Sequence, residues 1–407
     1  MKVMVLGGGA REHALAWHIS QSPKCTGLFV APGNAGTGGI AQNVQLEDRD
    51  PIRMAEQIAD LGIAFVVVGP ESFLELGLVD ALRAKGILAF GPTRAAARLE
   101  TSKAFAMEVM ERAGVPHPDF RILNTAEEVK TFVGQRGKPV VVKADGLAGG
   151  RGVHLCNTTE EAYEAARVLI RQPDGPVVVQ ELLSGREVSV FAFTDGHHLS
   201  PLVAACDYKR LWDGDKGPNT GGMGSYAWPE FWDEALDLEI RTSVMEPVLA
   251  EMERLGTPFA GMLYAGIMLT QEGPKVLEFN ARFGDPEAQV ILQLLENDLL
   301  KVFLACARGN LQDVPVSWDQ ERSVVGVVLA SSGYPGEHES GAPISGLRWR
   351  DKDTIVFHAS TQESDGEFVT GEVSGRILTV VGSGSSLTEA RERAYDRAKK
   401  IHFPTAV

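Results

Sequence analysis

The first 92 residues alternate short apolar runs with segments of helical periodicity, and this alternation constrains the fold most. The apolar runs read KVMVL, GLFVAPG, AFVVVGPE and ILAFGP, and they end in turns that carry glycine or proline. Helical patterns such as REHALAWHI and PIRMAEQIADLG lie between them. Strands and helices in this order are typical of a parallel, doubly wound sheet. Ligands of such sheets bind at the carboxyl ends of the strands, where these turns lie.

The rest of the chain predicts further units. A helical segment, RAAARLETSKAFAMEVMERAG, is expected to end at Pro116 and Pro118. It is followed by a strand, a glycine-rich loop and a strand in KPVVVKADGLAGGRGVHLC, and by an antiparallel hairpin that turns at Asp195 and Gly196. From about residue 315 the tail is rich in strands and has one late helix. Because 407 residues exceed one ordinary core, we predict a multidomain chain of α/β and α+β class.

Charge and cysteine content exclude several kinds of partner and site. A formal net charge of −15 repels phosphate backbones, so we expect no nucleic-acid partner. The four cysteines are far apart and form neither a CxxC pair nor a zinc spacing, which favours a reducing, cytoplasmic location. The apolar run GIAFVVVG is too short to span a bilayer and the start does not resemble a signal peptide, so we expect no membrane association.

The segment KVLEFNARFGDPEAQV places polar side chains on a predicted strand. Because side chains alternate across a strand, Glu278, Asn280 and Arg282 are expected on one face, and Leu277, Phe279 and Ala281 on the other. A carboxylate and an amide oxygen two residues apart can reach one hard cation such as Mg²⁺. The guanidinium beside them can hold a phosphate or carboxylate. The alternative is a solvated strand face, which the following RxxDPE makes less convincing.

Four other segments suit ligands. KADGLAGGRGV has glycines that let backbone N–H groups approach phosphates, with Lys143 and Arg151 adding positive charge; a flexible hairpin is the alternative. VVVQELLSGREVSV can offer backbone groups to an adenine edge and a carboxylate to a ribose, although a plain strand and turn explains it as well. GGGAREHA opens a helix and suits an anion, but it lacks the GxGxxG pattern, which excludes a dehydrogenase. The loop DYKRLWDGDKGPNTGGMGSY is long, polar and glycine-rich.

In this order, the motifs resemble those of the phosphoribosylamine–glycine ligase family of ATP-grasp ligases, along nearly the whole chain. The matching segments include GGGAREHAL, APGNAG, SKAF, KADGLAGGRGV, KGPNTGGMG, GMLYAG, EFNARFGDPE and GYPG. The resemblance implies an N-terminal doubly wound substrate-binding domain (1–101), a central ATP-grasp domain (102–313) with a mobile lid at about 115–190, and a small strand-rich C-terminal domain (314–407). It also implies that ATP, glycine and 5-phosphoribosylamine give glycinamide ribonucleotide, ADP and phosphate through glycyl phosphate, in purine synthesis.

The resemblance also implies roles for individual residues. Glycine and the developing acyl phosphate are oriented by Arg282 and Asp285, with Lys143 also catalytic, and Glu278 and Asn280 ligate Mg²⁺ or Mn²⁺. The implied nucleotide-binding residues are Lys103, Lys143, Gly146, Gly149, Gly150, Arg151, Gly152, Glu181, Leu183 and Glu187. The implied substrate-binding residues are Gly8, Gly9, Asn34, Glu71, Asp207 and Arg282. We expect a monomer.

Two competing interpretations remain open. Another ATP-grasp ligase, such as a biotin-dependent carboxylase subunit, is disfavoured because the strand GMLYAGIML lacks an additional acidic metal ligand. A non-catalytic nucleotide-binding regulator is disfavoured by the intact Lys103, Lys143, Glu278, Asn280 and Arg282. The chain departs from the family pattern at several positions, which include Ala10, Arg151 and Gln180, and we interpret these as drift without loss of activity.

Overall fold

A computed structural model describes residues 1–148, 152–170, 175–349, 351–404 and 406. Gly149, Gly150 and Arg151, which the sequence assigns to the nucleotide loop, lie outside the described residues. Within the described ranges, no helix is both long and apolar enough to cross a membrane.

The N-terminal sheet has five parallel strands in the order β3-β2-β1-β4-β5. The strands are β1 (Lys2–Gly7), β2 (Gly27–Pro32), β3 (Gln42–Asn43), β4 (Phe65–Val68) and β5 (Leu88–Phe90). The helices of this part are α1 (Ala10–Ser20), α2 (Pro51–Asp60), α3 (Glu71–Glu75) and α4 (Leu78–Ala84). Alternate residues of β1 enter different cores: Met4 packs with α2 and α4, and Val5 packs with α1. Helices therefore cover both faces, which confirms the doubly wound prediction.

The next helical segment is divided in two, which the sequence analysis did not predict. Helix α5 (Arg94–Thr101) and helix α6 (Lys103–Ala113) are separated at Ser102, which has extended backbone angles of φ −137° and ψ 109°. The Ser102 hydroxyl accepts a hydrogen bond from the Phe105 amide and caps α6. Gly114, in the left-handed region at φ +67°, ends α6 two residues before the predicted stop at Pro116.

A four-stranded antiparallel sheet follows, in the order β6-β9-β7-β8. Its strands and helices are β6 (Phe120–Leu123), α7 (Ala126–Arg136), β7 (Val140–Ala144), β8 (Val153–Cys156), α8 (Thr159–Leu169) and β9 (Val177–Glu181). Helices α7 and α8 pack on one face and form with it a separate small core that includes Val129, Val142 and Ala166. Threonine and glutamate residues form capping boxes at the start of both helices.

The largest sheet has eight strands and runs from the central segment into the tail, in the order β16-β15-β10-β11-β14-β17-β21-β18. Its strands are β10 (Arg186–Asp195), β11 (Val203–Asp207), β14 (Gly224–Ala227), β15 (Ala260–Thr270), β16 (Gly273–Asn280), β17 (Ser323–Ala330), β18 (Thr354–His358) and β21 (Arg376–Gly384). The antiparallel pairing of β14 with β17 joins the central strands to the tail. The predicted hairpin at Asp195 is present, because β10 and β11 pair antiparallel.

Two hairpins and five further α-helices are present, together with 3-10 helices at Thr37–Gly39, Leu292–Leu294 and Leu311–Asp313 and a π-helical segment at Arg241–Met245. The hairpins pair β12 (Arg210–Trp212) with β13 (Lys216–Asn219), and β19 (Thr361–Ser364) with β20 (Glu367–Thr370). The helices are α9 (Glu234–Ile240), α10 (Glu246–Arg254), α11 (Glu287–Ile291), α12 (Leu299–Arg308) and α13 (Leu387–Ala398). Helix α13 is the late helix that the sequence predicted, and it packs on β17 and β21.

Candidate functional site

A polar cleft of about 620 Å³ opens where all three parts of the chain meet. Side chains from the N-terminal part, the four-stranded sheet, the central strands and the tail all line it. The lining includes Arg11, Glu71, Glu100, Lys103, Met107, Lys143, Gly152, Gln180, Thr220, Gly221, Leu277, Glu278, Asn280, Arg282, Asp285, Tyr334, Ser374 and Arg376. Its charged lining and junction position mark it as the candidate active site.

Two lysines and a carboxylate form one end of the cleft, which we call the lysine end (Lys103, Lys143 and Glu278). Lys143 lies on β7, is 6% exposed, and donates from Nζ to the carbonyl of Leu277 at 3.0 Å. Burial lowers the pKa of Lys143 to about 8; Glu278 opposes this shift, and Lys103 and Lys209 add to it. Two lysines that line one cleft, one of them buried, suit a polyphosphate, which would compensate the desolvation of the buried cation.

Glu278 is half-buried, and the charges around it favour the ionised form of its carboxyl group. Burial raises the pKa of its carboxyl group, but the positive charges of Lys143, Lys209 and Lys103 outweigh this effect and hold the pKa below its usual value. Its carboxylate has no hydrogen-bond partner among the described residues. Asn280 is 8% exposed, and its Oδ1 accepts one long contact of 3.4 Å from Arg282. Both side-chain oxygens are therefore available to a cation.

The two side-chain oxygens of Glu278 and Asn280 fit Mg²⁺ or Mn²⁺ better than a metal whose ligands all come from the protein. No cluster of three or more His, Cys, Asp or Glu side chains that could hold a metal exists within the described ranges. Mg²⁺ takes one or two oxygen ligands from the protein and keeps waters and phosphates as the others. Glu278 and Asn280 supply two such oxygens, and the lysines beside them can hold the phosphates that would supply the others.

The alternation predicted for this segment holds for Glu278 and Asn280 on β16 and for Arg282, two residues past its end, and fails at Leu277. Glu278, Asn280 and Arg282 all line the cleft. The register shifts between Gly266, which pairs with Glu278, and the next residue of β15, which pairs with Val276. Leu277 is thus an extra residue in the strand. Leu277 and Phe279 both reach the cleft lining, but only Phe279 belongs to the buried core cluster, together with Ala281. The bulge also directs the Leu277 carbonyl to Lys143.

Arg282 is held between two carboxylates. Its Nε donates to Glu71 Oε2 at 2.8 Å, and its Nη2 lies 2.9 Å from Glu100 Oε1. Burial and the nearby Glu71 raise the pKa of Glu100 although Arg282 opposes them, whereas Arg282 and Arg11 overcome burial and lower the pKa of Glu71. Sequence reasoning placed Arg282 and Glu71 at the substrates but missed Glu100. Its position three residues before Lys103 in the quoted SKAF region was the available signal.

The opposite end of the cleft, which we call the tail end, is formed by Asp285, Gly221, Tyr334 and Arg376. Arg376 Nη2 lies 3.0 Å from Asp285 Oδ2, and Gln289 donates to Asp285 Oδ1 at 2.8 Å. Burial raises the pKa of Asp285, but Arg376 and Arg11 more than compensate and hold it below its usual value. Tyr334 and Arg376 were missed as site residues, although the sequence analysis singled out GYPG, which contains Tyr334.

Asp207 lies at the end of β11 beneath the loop of Gly222 and is not part of the cleft lining. Its Oδ1 is buried and has no hydrogen-bond partner among the described residues. Burial and the nearby Glu287 raise its pKa well above the usual value. Gly222 has φ +104°, and a Cβ there would lie 2.6 Å from Asp207 Oδ1. Asp207 is only partly buried, and its direct contact with a substrate, as the resemblance implies, stays a prediction.

Glu71 lines the cleft, whereas Gly8, Gly9 and Asn34, which the resemblance also assigns to the substrate, do not. Asn34 is buried, and its Nδ2 donates to the carbonyls of Gly8 at 2.9 Å and His358 at 2.7 Å. The Gly9 amide donates to Glu12 Oε2 at 2.7 Å. A Cβ on Gly9 would lie 3.6 Å from Asp285 Oδ2, so this turn is adjacent to the site. Arg11, from the same GGGAREHA segment, does line the cleft and was missed.

The implied nucleotide residues divide into two groups. Gly152 lines the cleft, and Gly146 accepts a contact of 3.5 Å from Lys103 Nζ. Glu181 ends β9, Leu183 follows it, and Glu187 on β10 forms an ion pair with Lys209. None of these last three lines the cleft, although Gln180, beside Glu181, does, and it donates to Met107 Sδ at 2.9 Å.

Comparisons with known proteins agree along the whole chain. Residues 1–100, 101–288 and 324–407 match the N, ATP-grasp (A) and C domains of phosphoribosylglycinamide synthetase. A phosphoribosylamine–glycine ligase from Streptomyces coelicolor is 46% identical over 98% of this chain and 96% of its own length. One from Rhodopirellula baltica is 44% identical over 99% and 95%.

Solved structures add the fold. The crystal structure of the Thermotoga maritima phosphoribosylamine–glycine ligase matches with a TM-score of 0.86 and 34% identity, covering 100% of this chain and 98% of that one. A biotin carboxylase from Campylobacter jejuni shares the fold alone, with a TM-score of 0.77 at 14% identity over 100% and 92% of the two chains. This chain therefore belongs to the phosphoribosylglycinamide synthetase family of ATP-grasp enzymes, also called phosphoribosylamine–glycine ligases.

Proposed function

We propose that the cleft catalyses ATP-dependent ligation of glycine to 5-phosphoribosylamine, with glycyl phosphate as the intermediate. The chain is an ATP-dependent carbon–nitrogen ligase by family. The observation that supports this use of the cleft most directly is the position of Lys103, Lys143 and Glu278 at one end and Arg282 and Asp285 beyond them.

In the proposed mechanism, a carboxylate oxygen of glycine attacks the γ-phosphorus of ATP and ADP leaves. The amine of phosphoribosylamine then attacks the carbonyl carbon of glycyl phosphate. The C–N bond forms, the C–O bond to phosphate breaks, and the amine loses a proton. Lys103 and Lys143 hold the ATP phosphates and neutralise charge that develops on them. Arg282 and Asp285 orient glycine and its acyl phosphate.

Glu278 and Asn280 are proposed to hold Mg²⁺ or Mn²⁺. A metal ion held by these two residues would neutralise part of the negative charge of the ATP phosphates. The free, ionised carboxylate of Glu278 supports this assignment. The protein's own contribution is to keep that carboxylate charged through the surrounding lysines.

Several finer assignments are also proposals. The loop 146–152 closes over the phosphates and excludes water from the anhydride, as part of a lid at about 115–190. Glu181, Leu183 and Glu187 contact the adenine and ribose, and Gly8, Gly9, Asn34, Glu71 and Asp207 surround phosphoribosylamine. We propose domain boundaries at residues 101 and 313, a monomeric state and a cytoplasmic location.

The test is ADP release with freshly prepared phosphoribosylamine, glycine and Mg²⁺, each omitted in turn. We expect ADP only when both substrates are present, in amounts that match glycinamide ribonucleotide. Nucleotide binding without ADP release would contradict the ligase and favour a regulator. ADP release that needs bicarbonate and not glycine would favour a carboxylase.

A further inference from the structure

Both peptide groups of Gly221 at the tail end of the cleft are held by the tail of the chain. The Gly221 amide donates to the Tyr334 hydroxyl at 2.8 Å, and its carbonyl accepts from Arg376 Nη1 at 2.6 Å. Gly221 belongs to the GPNTGGMG segment, 113 and 155 positions before its two partners. The tail therefore fixes the conformation of a loop that lines the cleft.

Arg376 and Tyr334 differ in whether they retain an unused hydrogen-bond donor. Arg376 Nη1 also contacts the carbonyls of Gly222 at 3.4 Å and Asp285 at 2.9 Å, and Nη2 pairs with the Asp285 carboxylate. Its donors at this end are thus used within the protein. A tyrosine hydroxyl both accepts and donates. Tyr334 accepts from Gly221, and its own hydrogen has no acceptor among the described residues.

The position of the Tyr334 ring is fixed by close packing. A Cβ on Gly375 would lie 2.6 Å from Cδ2 and 2.9 Å from Cβ of Tyr334, so the ring occupies the space that a side chain at Gly375 would need. Tyr334 lines the cleft and is only partly exposed. A fixed hydroxyl with an unused donor beside a substrate cleft is suited to hold a substrate oxygen at low entropic cost.

The electrostatic neighbours of the cleft residues separate its two ends. The charges that shift the pKa of Lys143 are those of Glu278, Lys103, Lys209 and Glu187. The charges that shift the pKa of Arg376 are a different set, namely those of Asp285, Tyr334, Asp207 and Glu287. If ATP phosphates occupy the lysine end, the glycine carboxylate must lie next to the γ-phosphate, and the amine must lie beyond glycine. The part of the tail end beyond Asp285, formed by Gly221, Tyr334 and Arg376, then remains for the phosphorylated sugar.

We infer that the Tyr334 hydroxyl donates a hydrogen bond to an oxygen of the phosphorylated sugar amine, and that Arg376 is a positioning residue for the loop at Gly221. This inference rests on the proposed function of the cleft. If Tyr334 has this role, the tail contributes directly to specificity for the sugar substrate. Tyr334 lies outside both β16, which carries the proposed metal ligands, and the glycine-rich loop.

The test compares Tyr334→Phe with a matched control, Tyr395→Phe. Tyr395 lies on α13, is 50% exposed, and its hydroxyl has no hydrogen bond among the described residues. Losing one neutral hydrogen bond should raise the KM for phosphoribosylamine about five- to tenfold in Tyr334→Phe. The KM values for ATP and glycine should change less than about twofold, and the control should match wild type.

A second measurement uses ribose 5-phosphate, a stable probe that retains the sugar and phosphate. Its inhibition constant against phosphoribosylamine should rise by a similar factor in Tyr334→Phe. Arg376→Lys should lower kcat with little change in that inhibition constant, because it disturbs the loop and not the donor. An unchanged KM for phosphoribosylamine in Tyr334→Phe, or a larger effect on glycine, would overturn the inference. Absence of turnover in wild type would instead refute the proposed function.

Discussion

The pKa of Lys143 makes capture of ATP sensitive to pH just above neutrality. An exposed lysine keeps its charge to about pH 10. Burial lowers the pKa of Lys143 to about 8, with Lys103 and Lys209 adding to the shift. The group therefore loses its proton as pH rises through about 8, and with it the charge that we propose holds the ATP phosphates.

The size of the effect follows from the titration. With a pKa of about 8, roughly nine-tenths of Lys143 is charged at pH 7 and roughly one-tenth at pH 9. Because kcat/KM reports the ionisation of the free enzyme, kcat/KM for ATP should fall roughly tenfold over this range. The assay is initial-rate ADP release at varied ATP, with glycine and phosphoribosylamine held at saturation at each pH.

Lys143→Arg separates this cause from the titration of the substrates. A guanidinium keeps its charge throughout, so the slope of kcat/KM for ATP against pH should flatten even where the absolute rate is lower. If the variant does not turn over, NMR of ¹³C-labelled lysine side chains should show one signal that titrates near pH 8 and is missing from Lys143→Met. A wild-type profile that is flat to pH 9, or a slope equally steep in Lys143→Arg, would refute the reasoning.

Three further predictions test other parts of the cleft. Glu278→Gln should lower kcat on the order of a hundredfold or more while weakening ATP binding, measured by calorimetry, far less; wild-type kcat at matched Mg²⁺ would contradict the metal assignment. Arg282→Met removes the cation that pairs with the buried Glu100 and the partly exposed Glu71, and should lower the free energy of unfolding in urea by about 3–5 kcal/mol. Arg53→Met, whose side chain is 72% exposed, should lower it by less than ~1 kcal/mol. Gly222→Ala, at φ +104° over a buried carboxylate oxygen, should abolish ADP release. Gly86→Ala, at φ +75° with open space around it, should lower stability by about 1 kcal/mol and leave activity unchanged. An active Gly222→Ala variant would refute the close packing.

The parts of the fold that local patterns determine could be predicted from the sequence. The four apolar runs of the first 92 residues correspond to β1, β2, β4 and β5, because buried parallel strands are continuous apolar runs. The two-residue strand β3 (Gln42–Asn43) was missed because both residues are exposed and carry no apolar signal. The grouping of Glu278, Asn280 and Arg282 on the cleft followed from the period of a strand.

The features that were missed depend on distant contacts. The division of the helix at Ser102 involves Asp145, whose Oδ2 lies 3.2 Å from the Ser102 hydroxyl, and no local pattern reports that contact. The bulge at Leu277 depends on pairing with β15. Arg376 and Tyr334 reach the cleft only because β17 and β21 extend the central sheet. A single sequence does not reveal the contacts of Tyr334 and Arg376 with Gly221, since they join residues 113 and 155 positions apart.

The pairing of β14 with β17 also bears on how the chain tolerates damage. Removing the tail would leave β14 (Gly224–Ala227) as an edge strand with unpaired N–H and C=O groups. Such an edge is a template for pairing between molecules. A premature stop or a proteolytic cut after the central segment should therefore yield aggregated protein, and not a soluble enzyme that has merely lost a substrate contact.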